Sequence, residues 1–111
     1  MRKIESQMNA AIAAKTDWRK ANTSVSYNPE TETSSVTLHG NKIAEVTTNT
    51  SQTRIKLFDG GWQTNTTKSR LNAILDAFGL PNERVYQHRW EWFVRMRDNT
   101  SIPFFSTMVL Q

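Results

Sequence analysis

The sequence predicts an α+β fold: a small antiparallel sheet of four to six strands, with an N-terminal helix and a central helix at about 66–78 packed on one face. Three observations carry this. Apolar residues recur at three- and four-residue spacing over 2–14 and 66–78, the helical period. Over 23–58 they alternate with polar residues, the strand period. The strands follow one another through tight turn signals, which favours antiparallel neighbours with helices gathered to one side.

In the first helix Ile4, Met8, Ala11 and Ile12 share a face. It is expected to fail near Lys15-Thr16-Asp17, with Trp18 folding back on the apolar stripe. Val25 and Tyr27 then alternate with serines until Asn28-Pro29-Glu30, where proline lacks a ladder donor. Val36 and Leu38 lead to Gly40-Asn41, read as a two-residue hairpin loop that sets His39 opposite Lys42 and Leu38 opposite Ile43. Ile43 to Thr47 is the return strand and Thr48 to Gln52 a turn. Ile55 and Leu57 point one way, and Arg54, Lys56 and Phe58 the other. Asp59-Gly60-Gly61 ends that strand.

The central helix has the most consistent signals. Thr66 or Thr67 is placed to cap it. Leu71, Ile74, Leu75 and Phe78 form its stripe. Gly79 stands where a left-handed terminating residue is wanted, and Pro81 forbids continuation. Residues 84–97 read as one long extended segment, bent or bulged near His88-Arg89. Tyr86, His88, Trp90, Trp92, Val94 and Met96 fall on one face, and Val85, Gln87, Arg89, Glu91, Phe93 and Arg95 on the other. After the Asp98-Asn99-Thr100 turn comes an apolar tail, Ile102 to Leu110.

With 111 residues the chain is read as one domain, 1–111. There is no cysteine, which excludes disulfides, thiolate metal sites and a cysteine nucleophile. The N-terminus lacks the apolar segment of a secretory signal, and no run approaches the ~20 apolar residues of a membrane span, so a cytoplasmic location is expected. Asn22, Asn49, Asn65 and Asn99 begin glycosylation sequons, read as by-products of a Thr/Ser/Asn-rich composition.

Catalytic motifs are missing. His39 and His88 have no partner at metal-ligand spacing, and no zincin, nucleophile-elbow, phosphate-loop or dinucleotide fingerprint occurs. No enzymatic activity, cofactor, catalytic residue or metal is expected. His39 is read as solvated beside its turn, and His88 as packed or hydrogen-bonded.

Two constellations point to binding instead. The net charge is +4 with a pI near 9.8, compatible with nucleic acid. At the start of the central helix Thr66, Lys68 and Arg70 bring hydroxyls, free backbone N–H groups and two cations to the positive end of the dipole, an arrangement suited to an anion such as phosphate. The bland alternative is a Thr-rich cap with two solvated basic residues. In Arg89 to Arg97 arginines interleave with aromatics, as on platforms that stack single-strand bases. Trp90 and Trp92 are more readily read as the inner face of the sheet, packed on Leu71, Leu75 and Phe78. Phe93 is the better exposed aromatic, since it shares a face with Arg89 and Arg95. If the strand bearing Arg54, Lys56 and Phe58 neighbours this one, a single face carries all of them.

The opening Met1-Arg2-Lys3-Ile4-Glu5 with Gln7-Met8, the Leu38-His39-Gly40-Asn41-Lys42-Ile43-Ala44 hairpin and the Trp62-x-Thr64-x-Thr66-Thr67-Lys68-Ser69-Arg70-Leu71 run resemble short proteins of tailed phages. The resemblance covers about the first two-thirds of the chain. It implies a phage origin and an infected bacterial cytoplasm, and no activity. The leading expectation is an accessory protein binding nucleic acid, single-stranded by preference, through Arg54, Lys56, Thr66, Lys68, Arg70, Arg89, Phe93 and Arg95. The alternative is a module that binds and inhibits or redirects a host protein. Self-assembly through 102–110 is compatible with either.

Overall fold

A computed structural model describes residues 2–49 and 51–110. Among these, the element order is α1 (Lys3–Ala14), β1 (Trp18–Lys20), β2 (Thr23–Asn28), β3 (Thr33–Leu38), β4 (Asn41–Thr48), β5 (Thr53–Leu57), α2 (Asn65–Phe78), β6 (Arg84–His88), β7 (Glu91–Arg95), β8 (Ser101–Pro103) and β9 (Met108–Leu110). The α+β architecture is the expected one. β1 to β5 form an antiparallel meander, and β9 returns beside β5 to complete a six-stranded sheet. β6, β7 and β8 form a separate three-stranded antiparallel sheet, which was not anticipated.

The alternating pattern does what it promised. Val25, Val36, Ala44, Leu57 and Met108 lie in one cross-strand row, and Ser34, Val46, Ile55 and Leu110 in the next, all buried. Met8, Ala11 and Ile12 of α1 and Leu71, Ile74 and Leu75 of α2 close over that face. α1 packs on β1 and β2, α2 packs on β4 and β5, and the two helices touch. α2 also carries the small sheet on its flank. Asn72 donates to the Val85 carbonyl at 2.9 Å and accepts the Val85 N–H at 2.8 Å. Both polar groups of a buried amide are thereby satisfied.

Several local expectations are corrected. The β3–β4 turn is His39-Gly40, with φ of 52° and 78°, rather than Gly40-Asn41. Leu38 pairs with Asn41 and Thr37 with Lys42. A bulge then skips Ile43, so Ile43 and Ala44 are both buried and core contact resumes in phase. The cap of α2 is Thr64, whose hydroxyl accepts from the Thr67 N–H at 3.1 Å. Gly79 is extended (φ −81°), not left-handed. Its lack of a side chain matters for space, since a Cβ there would lie 2.7 Å from the Leu75 carbonyl oxygen and 2.8 Å from Glu83 Oε1. The turn expected over 48–52 includes residue 50, outside the described residues. Beside it Asn49 Oδ1 accepts the N–H groups of Ser51 and Gln52.

The largest correction concerns 84–97. It is a hairpin, not one strand, and it turns at Arg89-Trp90, both left-handed with φ of 51° and 71°. Folding the segment back pairs Val85 with Val94 and Gln87 with Trp92 on one face, and Tyr86 with Phe93 on the other. Val85 and Trp92 therefore share a side that a continuous strand would have split. Trp92 is buried edge-on against Phe104, 5.4 Å between centroids. Trp90 at the tip is 90% exposed.

Candidate nucleic-acid interface

Because the helices cover only one face of the six-stranded sheet, the other is open. The register assigns its occupants. Arg19, Ser24, Thr37 and Lys42 form one outward row, then Ser26, Ser35, Glu45, Lys56 and Val109, then Asn28, Thr33, Thr47 and Arg54. None is buried. At these outward positions Arg19, Lys42, Arg54 and Lys56 oppose one carboxylate, Glu45, which Lys42 approaches at 2.9 Å. The hydroxyls bond across strands, Ser24 with Thr37 and Thr33 with Thr47 at 2.8 Å. At the edge, the Phe58 ring lies under two ammonium groups, Lys42 Nζ at 5.8 Å and Lys56 Nζ at 5.5 Å from its centroid.

Arg54, Lys56 and Phe58 thus occupy an open face, as their alternation suggested. Phe93, Arg95 and Arg89 do not join them, because β5 lies between β4 and β9 while β7 belongs to the other sheet. On the small sheet's outer face Phe93 stacks on Tyr86 at 5.7 Å, and Arg95 stands opposite Arg84. Arg95 Nε donates to the Asn82 carbonyl at 2.8 Å, which fixes its head. Arg89 sits apart at the hairpin tip. His88 is exposed opposite Glu91, not packed.

The helix start is also reassigned. Arg70 is only 3% exposed. It donates to Glu5 at 2.8 Å, to Thr23 Oγ1 at 3.1 Å and to Asn22 Oδ1 at 3.4 Å. A guanidinium so enclosed is nearly inaccessible to a phosphate in solvent. Its position near the positive end of the dipole is explained by Glu5, not by a ligand. Burial pushes the Glu5 carboxyl up, but hydrogen bonds from Ser69 and Arg70, with help from the Arg2 N–H and the Arg70 charge, outweigh it and hold the carboxyl below its ordinary value. Lys68 reaches Gln87 Oε1 at 3.5 Å. Thr66 lines a cleft described below. The tail 102–110 supplies β8 and β9, and its Met108 and Leu110 fill this chain's own core, while Ile102, Phe105 and Val109 stay outward.

Lys42 and Arg19 were missed. Their outward placement depends on the bulge at Ile43 and on a β1 strand too short to show a period. No group of three or more His, Cys, Asp or Glu side chains suited to a metal gathers among the described residues. No helix among them is long and apolar enough to cross a membrane.

Fold and site together define a small α+β protein with an uncovered, cationic, hydroxyl-rich sheet face. The chain belongs to the Kyanoviridae Gp96 protein family, a phage family, whose model matches residues 1–111. The resemblance to phage proteins therefore holds over the whole chain. No curated protein and no solved structure matches it.

Proposed function

We propose that this phage protein binds a single nucleic-acid strand across the open face of its six-stranded sheet, and acts in the infected cell as an accessory factor that holds the strand without reacting with it. The observation that carries this is the charge of that face: Arg19, Lys42, Arg54 and Lys56 against Glu45 alone. Cations spread over neighbouring strands suit a flexible polyanion, whose phosphates bind by displacing counterions. The serine and threonine hydroxyls between them serve as donors to phosphate or sugar oxygens. Phe58 adds a ring at the margin. The small sheet's Arg84–Arg95 face is the weaker candidate, with fewer cations and one of them tied to Asn82.

Fluorescence anisotropy with labelled single- and double-stranded oligonucleotides at two salt concentrations tests the reading. Binding that favours single strands and weakens with salt supports it. No binding at low salt, or binding indifferent to salt, sinks it.

A second reading, recognition of a host protein, is favoured by Trp90, which projects fully into solvent from a hairpin tip. Exposed tryptophans are frequent anchors of protein interfaces. A stoichiometric partner captured from nuclease-treated host lysate, and lost with Trp90→Ala, is what this reading requires.

A further inference from the structure

We propose that the cleft between the β3–β4 turn, the end of β5 and the first turn of α2 takes up a nucleobase. This rests on the sheet face as a single-strand interface and adds a specific pocket to it. The cleft measures about 230 Å³, with Leu38 and Ile43 among its lining and Asn41, Asp59, Trp62 and Thr66 around them. A cavity of about 150 Å³ already accommodates benzene, so a base ring fits.

The lining chemistry selects the ligand. The aliphatic side chains suit ring faces. Trp62 is 72% exposed and presents an indole at the cleft, the kind of group on which bases stack. The Asn41 amide and the Thr66 hydroxyl offer donors and acceptors to a polar ring edge. Asp59 decides between a base and a phosphate. Its Oδ1 accepts the Gly61 N–H at 2.8 Å and its Oδ2 the longer Gln63 amide contact at 3.5 Å, and its charge repels an anion while its remaining lone pairs suit a base N–H. An uncharged aromatic ring with polar edges satisfies all of these groups, and a phosphate does not.

The cleft adjoins the strand ends that carry the basic face, with Leu38 and Ile43 turned into it from the side opposite Lys42. Asn41 and Ile43 line it from either side of Lys42, which points outward. Asp59 and Gly60 line it immediately after Phe58. A strand held at Lys42 and Phe58 passes round this end of the sheet to place a base in the cleft.

The test is an amide NMR titration of the full chain with adenosine, with ribose 5-phosphate in parallel. The expected result is that adenosine shifts Gly60, Thr66, Thr67 and the Trp62 indole N–H, and ribose 5-phosphate does not. Thr66→Trp, which fills the cleft, should abolish those shifts. It should also weaken single-strand binding by between about fivefold and a hundredfold, with the salt dependence unchanged. Trp62→Ala, at an exposed position, should reduce the adenosine shifts without disturbing the core. No cleft shifts at millimolar adenosine would overturn the proposal, as would equal shifts with ribose 5-phosphate. The two readings fail separately. If oligonucleotides bind and adenosine leaves the cleft unmoved, the pocket is wrong and the face stands. If adenosine binds and oligonucleotides do not, the face is wrong and the pocket stands.

Discussion

Glu5 and Arg70, 65 residues apart in the chain, meet at 2.8 Å with both side chains nearly inaccessible to solvent. Ser69 donates to the same Glu5 oxygen at 2.7 Å, and Thr23 and Asn22 complete the shell around the guanidinium. The pair ties the start of α1 to α2 and to the β1–β2 turn. Its surroundings decide its worth. A buried charge left without its partner costs far more than an exposed one.

Glu5→Gln is expected to destabilise the fold by about 3 kcal/mol, and Arg70→Met by about 3–5 kcal/mol, because each strands the other group. Urea denaturation measures this. The pH dependence follows from the lowered carboxyl. The unfolded chain binds the Glu5 proton more readily than the folded one, so the stabilisation is fully present above the ordinary value of 4.5 and is lost as pH falls through the lower folded value. Glu5→Gln should flatten that acid decline. An unchanged profile would remove Glu5 as its source.

Salt dependence reads the number of cations that engage the strand. With Arg19, Lys42, Arg54 and Lys56 all engaged, log affinity against log salt should fall with a slope between about −2 and −3. Lys42→Ala and Lys56→Ala should each flatten the slope by about 0.7. Lys68→Ala, on the helix side of the sheet, should leave it alone. A slope that responds to Lys68 and not to Lys56 places the strand elsewhere.

The Arg89-Trp90 turn holds two non-glycine residues left-handed. Left-handed backbone costs roughly 1–2 kcal/mol for an ordinary residue. Arg89→Asn with Trp90→Gly supplies the residues such hairpins prefer. The double variant should raise the melting temperature by roughly 3–6 °C. A drop instead would mean the tip gains stability from contacts that the change removes.

Two glycines should respond for different reasons. Gly79→Ala forces a Cβ against the Leu75 carbonyl and the Glu83 carboxylate and should cost about 1–3 kcal/mol. Gly40→Ala meets nothing within 4 Å, but its φ is +78°, so its cost of about 1 kcal/mol is purely conformational. Thermal melts of the two distinguish them, and equal tolerance at Gly79 would refute the packing account.

The element types were legible locally, while the β3–β4 turn, the Thr64 cap and the extended Gly79 were not. The helical stripes of α1 and α2 and the inward alternation of Val25, Val36, Ile55 and Leu57 are properties of short windows, because side-chain period follows directly from backbone geometry. The open basic face was legible in part, through Arg54 and Lys56. The errors that move site residues fall where a distant partner decides. Arg70 has an ordinary charge and a helical position, and only α1 folding back supplies Glu5. Arg89-Trp90 carries no turn signal. The segment turns there because Val85 and Trp92 are both buried in the core cluster, which a straight strand cannot achieve.

The sequence by itself therefore determined the fold class, both helices, the buried face of the sheet and, through its motifs, the phage kinship. Tertiary structure alone decided which cations stay exposed. A guanidinium keeps its donors for a ligand only when no buried carboxylate faces it. That depends on contacts between segments far apart in the chain, which enclosed Arg70 and left Lys42 and Lys56 on an open face.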